Sequence, residues 1–258
     1  MRSRTPIPAP FIAAGILNIA VAALALGGCL AIGSDKAAAP TTALSATATL
    51  NTSAALSSTT EPSQEKPAAE QALSTLETIP VKGRAPKTGY EREQFGQAWS
   101  DDVGVEYGHN GCDTRNDILR RDISDALIKE GTHGCVVLSG TLHDPYSGQD
   151  IAFQRGRDTS GAVQIDHVVP LADAWQKGAQ LLTPEQRRDF ANDPRNLLAV
   201  DGGLNQQKSA GDAATWLPPN KGFRCEYAQR IVEVKAAYSL WTTEAEHAAL
   251  DRLLRACP

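Results

Sequence analysis

A break in composition near residue 85 limits where this chain can fold. Between residues 30 and 84, Ala, Thr, Ser and Pro dominate and no aromatic residue occurs. Such a stretch buries too little apolar surface to offset chain entropy, so it is expected to be disordered. Residues 29–85 are therefore read as a tether. From Lys87 the pattern changes: Tyr90, Phe95 and Trp99 appear and apolar periodicities begin. Residues 86–258 are enough for one domain with its own core, and they show no internal repeat.

The N-terminus carries an export signal. Arg2 and Arg4 precede an apolar run over 11–26, interrupted only by Asn18. That length suits a signal-peptide core better than a bilayer span. The run ends in Leu26-Gly27-Gly28-Cys29, which resembles a lipobox. The expectation is a signal peptide over 1–28 with lipid on Cys29; cleavage without lipid and an uncleaved anchor are the rivals. The other four of the 5 cysteines are Cys112, Cys135, Cys225 and Cys257. An oxidising compartment turns such a set into two disulfides. Three pairings are open, and Cys112–Cys135 with Cys225–Cys257 is favoured because each brackets a compact unit. With no C-x-x-C or paired-His spacing, zinc is disfavoured. After loss of 1–28 the chain has 23 basic and 30 acidic residues, a charge of −7. Bulk electrostatics would not hold DNA; a nucleic acid would need a local basic patch and a bound cation.

The element pattern is α+β, with few strands and the helices on one side. A helix is expected over 114–130, stopped by Gly131. A strand over 135–138, a turn at 144–148 and a return strand at 151–153 follow. Further expectations are a strand over 163–169, a helix over 171–179, and a helix capped by Thr183 with Pro184 and Gln186. A strand over 196–200, a short helix over 204–210, and amphipathic helices over 223–240 and 243–256 complete the domain. Thr243 and Glu246 read as a capping box. Trp99, Trp175, Trp216 and Trp241 are expected in the core.

Chemistry concentrates in three segments: I-D-H-V-V-P (165–170), P-R-N-L-L-A-V (194–200) and G-L-N-Q-Q-K (203–208). Asp166 and His167 end a strand, Asn196 opens the next, and Asn205 and Lys208 lie on a helix. Phosphodiester hydrolysis needs a base near neutral pH, which His can supply, and charge stabilisation, commonly from a divalent cation. Asp166 and Asn205 offer hard oxygen ligands, suited to Mg²⁺, with Mn²⁺ an alternative. Strand neighbours point opposite ways, so Asp166 and His167 share a site only where the strand ends or twists. Lys208 falls on the same helix face as Asn205 and could reach a phosphate; Arg115 is a second candidate contact.

These segments resemble the HNH nuclease superfamily. More closely, they are similar to secreted bacterial HNH proteins whose domain also occurs at the C-terminus of GmrSD-type restriction endonucleases. The resemblance extends to F-G-Q-A-W (95–99), C-D-T-R-N-D-I-L (112–119), D-P-Y-S-G (144–148), W-L-P-P (216–219) and C-E-Y (225–227). It implies a ββα-metal core with added helices. It also implies Asp166 as metal ligand, His167 as general base, Asn196 as a brace and Asn205 as second ligand. Asp212 departs from the family spacing. The expected function is an exported endonuclease with little sequence preference, acting on DNA more than RNA, monomeric, and attached to membrane only by lipid. The alternative is a non-catalytic surface lipoprotein that binds nucleic acid or a protein through the same scaffold.

Overall fold

The structure, a computed structural model, describes residues 65–258. The signal peptide (1–28), lipid on Cys29 and the tether up to residue 64 lie outside the described residues. The chain runs α1 (Glu65–Thr78), α2 (Thr114–Asp122), β1 (Ile123–Ile128), β2 (Val137–His143), β3 (Asp150–Gln154), β4 (Val163–His167), α3 (Leu171–Gln176), α4 (Pro184–Asn192), β5 (Leu197–Asp201), α5 (Gly202–Lys208), α6 (Arg224–Ala237) and α7 (Glu244–Arg255). The class is mixed α+β. β1, β2 and β3 form an antiparallel sheet in that order, and β4 pairs antiparallel with β5. Both favoured disulfides are present: Cys112–Cys135 and Cys225–Cys257, with Cα atoms 5.3 and 5.5 Å apart.

The helix expected over 114–130 stops at Asp122. Asp113 caps its start, accepting from the Asn116 amide. The chain then enters β1, where Ile123 pairs with Leu142 of β2. A helix would put Ile123, Ala126 and Leu127 on one face. In the strand Ile123 is 5% exposed and Leu127 is 58% exposed. Tertiary pairing overrides the weak helical pattern here, and the Cys112–Cys135 bridge holds the start of α2 near the entry to β2.

The tether expectation fails for residues 65–85. Residues 65–78 form α1, which packs on α6 and α7. Leu76 is 1% exposed, Ile79 is 5% exposed, and Ala69 and Ala72 are buried. Beyond α1, the Lys82 amide donates to Thr242 O (2.9 Å), and Arg84 pairs with Asp173 (2.8 Å) and Asp212 (2.7 Å). The apolar stripe of α1 is largely alanine, which composition alone cannot separate from a disordered Ala-rich run.

Two caps show how local sequence fixes the helices. Thr183 and Gln186 form the full capping box on α4. Thr243 caps α7 by accepting from the Glu246 amide, but the Glu246 carboxylate turns inward to Lys177 (2.7 Å) and Lys235 (3.0 Å). The second capping box is therefore half-made, because two buried ammonium groups hold its carboxylate. Asp173 pairs with both of these cations and Asp212 with Lys177, so this buried network ties α3, α6 and α7 to the segment after α5.

Candidate active site

β4, β5 and α5 set the geometry. The register pairs Asp166 with Leu198 and His167 with Leu197. Asp201 ends β5 and caps α5, accepting from the Leu204 amide at 2.7 Å. A Cβ on Gly202 would lie 2.1 Å from Gly161 O, so only glycine lets α5 start this close to β4. Asn205 and Lys208 are then presented toward β4. Asp166 and His167 point to different surroundings, as strand neighbours must. They nonetheless line one cleft because β4 stops at His167.

Asp166 is buried and is held at both carboxylate oxygens. The Tyr146 hydroxyl donates to its Oδ2 at 2.5 Å, and Lys208 Nζ donates to Oδ1 at 3.0 Å and lies 2.8 Å from Oδ2. Lys208 also donates to His167 O at 2.8 Å. The Lys208 side chain is 0% exposed. The expectation that it contacts a phosphate is therefore corrected: it spends its donors inside the protein, as the counter-charge of Asp166. Tyr146 was not anticipated from sequence. The turn between β2 and β3 delivers it, with Asp144 accepting from the Tyr146, Ser147 and Asp201 amides. Its ring packs against Trp216, Phe223 and Tyr227, with centroids 5.0, 6.1 and 5.9 Å away. The segments D-P-Y-S-G, W-L-P-P and C-E-Y thus converge on one buried tyrosine.

His167 is held by a single bond: its Nε2 lies 2.9 Å from Ala191 O. A carbonyl only accepts, so Nε2 carries the proton and Nδ1 keeps its lone pair. Burial pushes the imidazole pKa down to about 3, with Arg92 and Lys208 acting in the same direction. The ring is neutral at neutral pH. Asn196 sits in the turn before β5, fully buried. Its Oδ1 accepts from the Val169 amide (2.8 Å), and its Nδ2 donates to Val169 O and Phe190 O. It clamps the backbone just after His167 to the end of α4.

A polar cleft of about 400 Å³ brings Asp166, His167 and Asn205 together. The Asn205 Nδ2 donates to Gln164 Oε1 (2.9 Å), leaving Oδ1 as the atom that can ligate. Lys87 and Arg92, both exposed, also line this cleft. Sequence reasoning missed these cations, which lie in the segment before α2 and far from the D-H and N-x-x-K segments. Arg115 does not join them: it is half-buried on α2, with Arg155 nearby and a guanidinium pKa lowered chiefly by burial. Asp212 belongs to the buried network and not to this cleft.

Among the described residues, no group of three or more His, Cys, Asp or Glu could hold a metal ion. The donors available are one carboxylate and one amide oxygen. A carboxylate has about four acceptor positions, and Tyr146 with Lys208 takes three. One position on Asp166 and Asn205 Oδ1 remain. That set is wrong for zinc but fits a hard, largely hydrated cation such as Mg²⁺ or Mn²⁺, which takes few protein ligands and completes its shell with water and phosphate oxygens.

The family described as "GmrSD restriction endonucleases, C-terminal domain" matches residues 113–253. The chain belongs to this family. A curated relative, an "uncharacterized secreted protein" of Arthroderma benhamiae, is 36% identical over 193 residues, covering 74% of this chain and 87% of the relative. No solved structure matches the chain. The relative is secreted, and two disulfides are consistent with export. It is also fungal, so it lends nothing to the bacterial expectation. The GmrSD C-terminal domain match contains Asp166, His167, Asn196, Asn205 and Lys208, whereas Lys87, Arg92 and Trp99 lie upstream of it.

Proposed function

We propose that this chain is an exported, metal-dependent endonuclease of HNH type that hydrolyses phosphodiester bonds in nucleic acid, DNA before RNA, with little sequence preference. In this reading β4, β5 and α5 are the ββα core, and Cys29, if lipidated, anchors the chain to the cell envelope. One observation carries the proposal: Asp166, His167 and Asn205 line a single polar cleft whose rim bears Lys87 and Arg92.

The chemistry follows from these groups. A phosphate enters the cleft against Lys87 and Arg92, which form a local basic patch on an acidic chain. The Nδ1 lone pair of His167 accepts the proton of the attacking water, while Ala191 O holds Nε2–H and so fixes the tautomer. A base held near pKa 3 is weak; an anionic phosphate that neutralises Arg92 removes one of the causes that depress it. Asn196 keeps the backbone beside His167 in place and does not touch substrate. Asp166 and Asn205 would hold a hard divalent cation, which would supply charge stabilisation for the hydrolysis.

The test is plasmid nicking by the exported chain, with and without EDTA. Chelation is expected to stop cleavage, and His167→Ala to slow it by a factor on the order of 10²–10⁴. Wild-type rates from His167→Ala would overturn the proposal. Lys87→Ala and Arg92→Ala are each expected to weaken DNA binding and to lower the salt slope of log K by about one phosphate contact. Titrations from low to moderate salt measure this, and an unchanged slope removes that residue from the phosphate path.

A further inference from the structure

A second cleft lies on the other side of His167. It is mainly apolar, about 260 Å³, and is lined by Phe95, Ala98, Trp99, Leu171, Ala191 and His167, among others. His167, Arg92 and Leu171 line both clefts, so the two spaces share a wall at the proposed base. Trp99 stands apart from the other tryptophans. Its backbone has φ +59°, a conformation that a bulky residue rarely adopts. The strain is held in place by the segment that follows: the Thr114 amide donates to Trp99 O, the Thr114 hydroxyl donates to Ser100 O, and Asp101 accepts from the Asn110 and Gly111 amides. The result is a half-buried indole whose plane lies within 15° of the His167 ring, with centroids 6.1 Å apart. Strained residues held by their surroundings are a feature of binding sites.

We infer that this apolar cleft is a subsite for one unstacked nucleobase next to the scissile phosphate, with Trp99 as its stacking platform. The inference rests on the nuclease reading and adds its substrate class. A cavity of about 150 Å³ accepts a benzene ring, so the cleft has room for a base. The partner chemistry follows from position: an aromatic ring beside a phosphate site meets the part of a nucleotide that has a π-face. Trp99 and His167 are too close for a ring to slide between them, so the base packs against the part of the indole that borders the cleft. A base can reach that place only after leaving a duplex stack. Single-stranded or locally melted nucleic acid is therefore the preferred substrate, and intact duplex is cut more slowly.

The experiment uses the wild-type chain first. Cleavage rates are compared on a single-stranded oligonucleotide, its duplex, and single strands carrying one abasic position on either side of the cut. The single strand is expected to be cut faster than the duplex. The abasic position on one side is expected to lower kcat/KM on the order of ten- to a hundredfold, the range of base–aromatic stacking. Trp99→Leu should show a comparable loss on the intact strand, and the abasic substitution should then cost it nothing further; Trp99→Phe should fall between. Equal rates on intact and abasic strands, or additive losses in Trp99→Leu, would overturn the subsite. The wild-type arm decides even where Trp99→Leu does not fold. If the wild-type chain cuts no nucleic acid, the nuclease reading has failed. Indole fluorescence quenching by the intact strand but not by the abasic strand then still tests the subsite on its own.

Discussion

Asp166→Ala is expected to unfold the chain more readily as well as to stop cleavage. Its carboxylate is the counter-charge of a lysine whose side chain has no exposure, at 2.8 Å. Removing one partner of a buried pair leaves the other charge without compensation and costs about 3–5 kcal/mol. For a domain of this size that is a fall in Tm of about 6–20 °C. Added Mg²⁺ does not repair it, because the bare group is a cation. Lys208→Ala should destabilise similarly, leaving the Asp166 carboxylate buried with the Tyr146 hydroxyl. The pair Asp166→Asn with Lys208→Met removes both charges and keeps approximate volume, so most of the stability should return while cleavage does not. Denaturant unfolding and plasmid nicking measure the two halves separately. An Asp166→Ala chain as stable as wild type would remove the ion pair from the architecture. A double variant that still cuts would remove Asp166 from the chemistry.

The same pair shows why the sequence revealed the site's residues more readily than their arrangement. Asp166, His167, Asn196, Asn205 and Lys208 stand out by type and spacing, and the structure places them on β4, in the turn before β5 and on α5. Spacing placed Asn205 and Lys208 on one helix face but could not say which would be buried. That depends on Tyr146, which arrives from a turn twenty residues earlier and is fixed by an aromatic cluster from residues 216–227. Lys87, Arg92 and Trp99 carried no signal at all: they come from a segment with little regular structure, and only tertiary packing sets them beside His167. The helices with strong caps, α4 and α7, were legible because Thr183 and Thr243 act through bonds three residues away. β1 was not, since the strand exists by pairing with β2 and not by its own alternation.

A chain truncated to residues 85–258 is expected to lose its fold, not merely its tether. The break in composition near residue 85 suggests a domain boundary there, yet α1 and the segment after it complete the core. Leu76 and Ile79 are almost wholly buried, and burying such side chains contributes about 1.5–3 kcal/mol each. Those two alone approach the lower end of the 5–15 kcal/mol that holds a typical domain together. The truncation also strips the apolar faces of α6 and α7 that α1 covers, and it removes Arg84, which pairs with both Asp173 and Asp212 in the buried network. Asp173 then keeps Lys177 and Lys235 as partners, but the cluster loses one of three cations against three carboxylates. A chain beginning near residue 60 retains all of these contacts and should unfold cooperatively, at the temperature of the full chain. The comparison is a thermal melt of the two truncations beside the full chain, under oxidising conditions so that both disulfides form. Equal midpoints would show that α1 rests on the domain without supporting it; a loss confined to the shorter chain places the boundary before α1 and leaves only the stretch before it as a tether.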